Sequence, residues 1–218
     1  IATRYMTPVL LLTDGYLANG AEPWRLPTLE DLPKFPVTYR TDPENYHVYE
    51  RNEHLARAWV KPGTPGLAHR VGGLEKDKVT GNVSYDPENH EYMCKIRQAK
   101  VDKIKEDMGQ LHVNGKRTGD ILLVGWGSTY GSIAKATETL RAQGKDVSHC
   151  HLRWINPFHK ELGDVLRGFK RVIVPEMNLG QLVKLLRAEF LVDAKGLNKI
   201  QGKPFKVSEI VNFVNAEA

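Results

Sequence analysis

The 218-residue sequence has little cysteine and no long apolar run. Its two cysteines, Cys94 and Cys150, form neither a metal-binding spacing nor a disulfide framework, so we expect a reducing, cytoplasmic setting. No apolar stretch approaches the roughly 20 residues that cross a bilayer, and no signal-peptide pattern occurs. These absences exclude a disulfide-stabilised scaffold and argue against a membrane partner.

Positive charge is spread thinly along the chain. The 31 lysines and arginines exceed the 26 acidic residues and give a net charge of +5. No block of about five or more basic residues occurs, and no basic stretch is interleaved with aromatic residues. We therefore expect no nucleic-acid partner. The apolar fraction of 41% and the charged fraction of 26% are typical of a globular protein.

The clearest structural pattern begins at Gly119. An apolar run at Ile121–Val124 predicts a buried strand, and the glycine-rich turn Gly125–Gly131 leads into an amphipathic helix. Strand, turn and helix in this order open a βαβ unit. Further strands are predicted at Val147–Leu152 and Arg171–Pro175, and further helices at 182–190 and 207–214. Residues 119–218 therefore predict an α/β domain with a mostly parallel sheet.

The N-terminal half carries weaker patterns. The apolar run Val9–Leu12 predicts a buried strand, but one strand cannot make a core, so we expect the tail of a truncated domain here. Residues 23–66 hold seven of the twelve prolines and are expected to form an extended arm. Asp86 and Pro87 then predict the start of a helix that runs to about Asp107. The aromatic residues chosen as interface anchors of the arm are Trp24, Phe35, Tyr46 and Trp59.

The turn residues Gly127, Ser128 and Thr129 form a candidate anion site, because free N–H groups at a helix N-terminus attract negative charge. The spacing Gly-x-Gly-x-x-x-Gly is neither the dinucleotide fingerprint nor a P-loop. Close packing of the helix against the sheet is the alternative interpretation. Asp14, Asn19 and Glu22 follow a predicted strand, where α/β proteins gather ligand-facing groups, although ordinary turn chemistry explains them equally well.

His149 and His151 lie two residues apart on one predicted strand and face the same side. They lack a third ligand at a matching spacing, so we interpret them as strand histidines at a domain surface and expect no metal site. Cys150 points the other way, into the core. No serine lies in a nucleophile-elbow context, and the pattern yields no catalytic residue.

Four blocks in order resemble one family. They are TPVLLLTDGYLANGAEPWRLP (7–27), GGLEKDKVTGNVSYDPENH (72–90), LLVGWGSTYGSIAKA (122–136) and VPEMNLGQLVKLLRAEF (174–190). Together they are similar to the α subunits of 2-oxoacid:acceptor oxidoreductases, specifically the 2-oxoglutarate:ferredoxin type. The resemblance covers nearly the whole chain.

This resemblance implies a complex in which thiamine diphosphate, with Mg²⁺, lies between α and β subunits. There the 2-oxoacid is decarboxylated, an iron–sulfur cluster passes electrons to ferredoxin, and coenzyme A takes the acyl group. It implies that residues 1–25 end a truncated pyrimidine-binding domain, 26–118 are a connecting arm with one helix, and 119–218 are a three-layer domain similar to the C-terminal domain of transketolase. None of the cofactors is expected in this chain alone. The chain would be a structural, interface-forming part of a hetero-oligomer, inactive by itself.

Two alternatives remain open from the sequence. A freestanding nucleotide- or anion-binding α/β module would use the turn at Gly125–Gly131, and a purely structural assembly domain would use no ligand. Within the resembled family, pyruvate or a branched-chain 2-oxoacid could replace 2-oxoglutarate as substrate.

Overall fold

A computed structural model describes residues 1–217. The chain forms two compact units, which are described separately. The first unit contains residues 1–11 and 22–107, and the second contains residues 12–21 and the chain from Met108 onward. Within the described residues, every helix is too short or too polar to cross a bilayer.

Seven α-helices and five β-strands occur in the described residues. The helices are α1 (Ala2–Tyr5), α2 (Gly15–Ala18), α3 (Pro87–Lys103), α4 (Tyr130–Ala142), α5 (Leu162–Arg167), α6 (Gln181–Phe190) and α7 (Val207–Ala216). The strands are β1 (Val113–Asn114), β2 (Gly119–Trp126), β3 (Val147–Leu152), β4 (Phe169–Glu176) and β5 (Ala194–Asn198). Short 3₁₀ turns occupy Ile104–Asp107 and Gly127–Thr129.

One five-stranded sheet organises the second unit, in the order β1-β3-β2-β4-β5. The pairs β2–β3, β2–β4 and β4–β5 are parallel, and only the two-residue β1 runs antiparallel to its neighbour. The predicted mostly parallel sheet is confirmed. The pattern missed both edge strands, because β1 is too short and β5, with the sequence AKGLN, is too polar to give a buried-strand signal.

Alternating side chains of β2 build two apolar layers. Leu122 and Val124 face the cluster that includes α5 and α6, while Ile121 and Leu123 face the cluster that includes α4 and α7. Because all four are 2% exposed or less, β2 is buried on both faces, as its continuous apolar run predicts. Helices therefore cover both sides of the sheet, and the three-layer α/β architecture is confirmed.

The connections from β2 and β4 lead to opposite edges of the sheet. From β2 the chain passes through α4 to β3 on one side, and from β4 it passes through α6 to β5 on the other. In open α/β sheets, such a switch point at the carboxyl ends of the strands is where ligands bind. The turns after Trp126 and Glu176 are therefore candidate ligand-binding positions.

The first unit has little regular structure besides α3, as its prolines predict. Asp86 caps α3 by accepting the Glu88 N–H at 3.1 Å, and Pro87 occupies the first turn, so the predicted helix start is confirmed. The α-helix ends at Lys103, and a 3₁₀ turn completes the predicted length to Asp107. Buried apolar side chains of this unit are Tyr5, Ala56, Leu67, Met93 and Ile104.

The predicted strand at Val9–Leu12 is wrong. The segment forms no strand, and Leu10 and Leu11 are 87% and 86% exposed. An apolar run becomes a buried strand only when a neighbouring strand satisfies its backbone groups, and the described residues supply none here.

Candidate functional site

The turn that joins β2 to helix α4 contains a residue with a left-handed backbone conformation. Gly127 has a φ of +58°, a conformation that favours glycine, and it lets the chain turn sharply from strand into helix. Thr129 stabilises the turn, because its hydroxyl donates to the Trp126 carbonyl at 2.8 Å and accepts the Trp126 N–H at 3.3 Å. The hydroxyl group of Thr129 is thus engaged in local structure.

The candidate anion site at this turn is occupied by a carboxylate of the same chain. The Ser128 hydroxyl donates a short hydrogen bond to Asp14, whose other oxygen accepts the Tyr16 N–H at 2.7 Å and caps α2. These two hydrogen bonds, with that of Ser128 the stronger, lower the pKa of Asp14. The structure therefore brings together two residues that the sequence selected separately, Asp14 and Ser128.

The remaining two candidates near Asp14 have other surroundings. The Asn19 side-chain amide donates to the Gly15 carbonyl at 2.7 Å, which closes the short helix α2. Glu22 is exposed. The contacts of these two residues therefore do not position either side chain for ligand binding.

The sequence pattern did not identify a second carboxylate at the same edge of the sheet, that of Glu176. Glu176 ends β4, is fully buried, and accepts the Leu182 and Val183 N–H groups at 2.8 and 2.9 Å. It thereby caps helix α6, where the helix dipole favours a negative charge. The sequence did contain a signal for this residue. Glu176 ends an apolar strand and is followed by a helix that begins after a glycine.

His149 is buried and His151 is half-buried, which corrects our expectation that both lie at a surface. They share one side of β3 with Tyr130, with ring centroids 5.1–5.8 Å apart, and His149 is only 2% exposed. Burial, with smaller contributions from nearby positive groups, lowers the pKa of His149 to about 4, and burial also lowers the pKa of His151. Both rings are therefore neutral near pH 7. Cys150 is buried in the opposite layer, as expected.

The four expected interface anchors fall into two groups. Trp24 and Phe35 are 79% and 68% exposed, so the described residues leave them largely uncovered. Trp59 is held within the first unit, since its indole N–H donates to the Thr3 carbonyl at 3.1 Å. Tyr46 packs edge-on against His69 at a centroid distance of 5.7 Å.

One cluster in the first unit was not expected from the sequence. Glu75, His90 and Cys94 bring three possible metal-ligand atoms within 4.8 Å of one another. The Arg97 guanidinium, however, lies 3.0 Å from the Glu75 carboxylate and 3.2 Å from the Cys94 sulfur. A cation would meet this positive charge, so the cluster is an ion-pair network around Glu75.

Comparison with known proteins shows which protein family the second unit resembles. Residues 119–210 match the family model of the pyruvate:ferredoxin oxidoreductase core domain II. Most of the second unit is therefore similar to this core domain.

The similarity extends beyond this domain. The chain is 47% identical, over 99% of its length, to the 2-oxoglutarate oxidoreductase subunit KorA of Mycobacterium tuberculosis, and 31% identical, over 98%, to the α subunit of 2-oxoacid:ferredoxin oxidoreductase 2 of Aeropyrum pernix. It spans 33% and 34% of those two relatives. These matches show that the chain is homologous to part of a 2-oxoacid oxidoreductase α subunit, and they confirm the predicted resemblance.

A solved structure agrees with the sequence relatives. The 2-oxoglutarate:ferredoxin oxidoreductase from Magnetococcus marinus, solved with 2-oxoglutarate, coenzyme A and succinyl-CoA bound, superposes with a TM-score of 0.81 at 31% identity. The superposition covers 88% of this chain and 34% of that one.

Proposed function

We propose that this chain is the C-terminal portion of the α subunit of a thiamine-diphosphate-dependent 2-oxoglutarate:ferredoxin oxidoreductase. The complete enzyme would decarboxylate 2-oxoglutarate oxidatively, transfer the succinyl group to coenzyme A and reduce ferredoxin. The observation that carries the proposal is the 47% identity, over nearly the whole chain, to a 2-oxoglutarate oxidoreductase subunit.

Within that enzyme, residues 1–217 serve as scaffold and interface. A cysteine-ligated iron–sulfur cluster needs about four thiolates, and the chain has two cysteines, of which Cys150 is buried. At the glycine turn, Ser128 is already bonded to Asp14. We infer that thiamine diphosphate, Mg²⁺ and the cluster are held by other parts of the enzyme, which we place in the cytoplasm. The same engagement of Ser128 disfavours a freestanding anion-binding module.

We further propose the domain assignment expected from the resemblance, with residues 1–25 ending a pyrimidine-binding domain, 26–118 as a connecting arm and 119–218 as the core domain. The exposed apolar segment Val9–Leu12 is consistent with a strand that pairs with a preceding part of the polypeptide. Pairing would bury side chains that are now open to water.

The exposed aromatic residues of the arm support a β-subunit contact. Each large aromatic side chain buries on the order of 150–250 Å² when it is covered. Most of the side-chain surface of Trp24 and Phe35 is still exposed and available for such a contact. We propose that the β subunit covers both. Sedimentation of the full-length α subunit with β tests this contact, with the Trp24→Ala variant expected to weaken assembly and the wild type to assemble fully.

The activity is tested with the complete α and β subunits. We expect reduction of ferredoxin that requires both 2-oxoglutarate and coenzyme A, and a higher kcat/KM for 2-oxoglutarate than for pyruvate or a branched-chain 2-oxoacid. The isolated 218-residue chain should show no activity. Activity with pyruvate exceeding that with 2-oxoglutarate would reassign the substrate, and no 2-oxoacid-dependent reduction would reject the enzyme class.

A further inference from the structure

A cavity of about 480 Å³ in the first unit has five cationic residues among the eleven that line it. It lies between α3 and the loops before it, and its size falls within the range of small-molecule sites, about 300–1,000 Å³. Arg51, Arg57, Lys76, Arg97 and Lys100 line this cavity, and Glu75 is its single acidic residue. Neither the resemblance nor the relatives assign a role to it.

Four of these five cations have no carboxylate partner within 4.0 Å among residues 1–217. Glu75 is taken by Arg97, which it pairs with at 3.0 Å. The Lys76 ammonium donates only to the Leu74 carbonyl, at 2.7 Å, and the Lys100 ammonium only to the Met6 carbonyl, at 3.1 Å.

The two remaining arginines are held by neutral groups. Arg51 donates to the Leu55 carbonyl at 2.8 Å, and Arg57 lies 3.4 Å from the His69 ring nitrogen Nε2. The Nε atom of Arg51 is buried without any hydrogen-bond partner in the described structure. A buried, unpaired donor on a charged group is costly, so this atom indicates a missing acceptor.

The charges also repel one another. Burial lowers the pKa of Lys100, and the positive charge of Arg51 lowers it further. Burial likewise lowers the pKa of Arg51. A bound anion would remove this penalty and would accept the unused donors.

We propose that this cavity binds a small molecule through a diphosphate or similar compact polyphosphate group. Four positive charges without a carboxylate partner favour a ligand of comparable negative charge. A carboxylate carries one charge, whereas two phosphoryl groups carry about three to four near neutral pH in a compact volume. Arginine forks suit phosphate oxygens because they donate two parallel hydrogen bonds. The inference concerns the first unit alone and does not depend on the proposed enzyme activity.

Inorganic pyrophosphate is the probe, titrated into the 218-residue chain by calorimetry at low ionic strength. We expect binding that weakens as sodium chloride is added, because charge dominates it. Arg51→Gln should weaken binding by about tenfold or more, the equivalent of losing one charge-assisted hydrogen bond. Since Arg51 is partly buried and its replacement could unfold the unit, Lys76→Gln is the second variant, with an expected loss of about threefold or more.

The matched control is Arg167→Gln, which removes the same charge from an exposed residue paired with Asp164 in the second unit. It should leave the affinity unchanged, and citrate should bind at least about tenfold more weakly than pyrophosphate. The proposal is overturned by absent pyrophosphate binding, by equal binding of citrate, or by an equal loss in Arg167→Gln. Pyrophosphate affinity unchanged in folded Arg51→Gln and Lys76→Gln would overturn it as well.

Discussion

Acidification should destabilise the second unit through the buried ring of His149. In the folded chain its pKa is lowered to about 4, chiefly by burial, against an ordinary value of 6.5. Above pH 6.5 the ring is neutral in both folded and unfolded chains, and it makes no pH-dependent contribution. As the pH falls from 6.5 to 4, the unfolded chain takes up a proton that the folded chain does not, so stability is lost across this window.

The size of the effect follows from the two pKa values. Each unit of pKa difference is worth about 1.4 kcal/mol, which gives a loss of about 3 kcal/mol when both forms are fully protonated. At pH 5 about 2 kcal/mol of this loss is already present. Since small domains have a total stability of only about 5–15 kcal/mol, a loss of this size is readily measured.

Urea unfolding at pH 7.5 and pH 5 of the wild type and of His149→Gln measures this contribution. The wild type should lose about 2 kcal/mol more than the variant between the two pH values, whatever the variant's stability at pH 7.5. The control is His112→Gln, which removes an exposed histidine from the same unit and should keep nearly the full wild-type loss. Equal losses in wild type and His149→Gln would refute a neutral, buried His149.

Three further outcomes are expected. Gly127→Ala should cost about 1–2 kcal/mol in urea unfolding, through its positive φ rather than through crowding, since no atom lies within 4 Å of the added methyl position; unchanged stability would contradict this backbone conformation. The Arg97 ion pair lowers the pKa of Glu75 from 4.5 to about 2, so the wild type should lose about 1 kcal/mol as the pH falls from 4.5 toward 2, and Glu75→Gln should not. Trp59→Ala should lower the melting temperature of the chain, whereas Trp24→Ala should leave it unchanged; the reverse result would exchange the two roles.

The sequence predicts the second unit well because its signals are local. The run at Ile121–Val124 is apolar at every position and lies at the centre of the sheet, where both faces are covered. The edge strand β5 pairs with β4, and only Ala194 and Leu197 among its side chains pack against the apolar clusters. Its sequence therefore carries no buried-strand pattern. Periodicity therefore identifies the centre of the sheet and misses its edges.

Sequence reasoning fails where a partner decides the environment. The apolar run Val9–Leu12 has the same local signal as β2, yet it is exposed, because no strand in the described residues pairs with it. The prediction for the histidines of β3 was wrong in the opposite way, because it placed a buried residue, His149, at a surface. Polar residues on a strand favour a surface position, but Tyr130 at the start of α4 covers both rings.

The candidate site contains two contacts that no spacing rule could have found. Asp14 reaches Ser128 across 114 positions of the sequence, and it fills the donor that a bound anion would use. At the neighbouring strand end, Glu176 instead accepts two backbone N–H groups at the start of α6. Carboxylates of the chain thus occupy the Ser128 hydroxyl after β2 and the first N–H groups of α6 after β4.

Carboxylates of the same chain compete with any free anion at these two strand ends. A carboxylate tethered to the same polypeptide acts at an effective concentration of millimolar or higher, so a free anion must bind tightly to displace it. Displacing Glu176 would also leave a buried carboxyl group without its two backbone hydrogen bonds, which is costly. A free anion must therefore displace Asp14 to reach Ser128, and Glu176 to reach the N-terminus of α6.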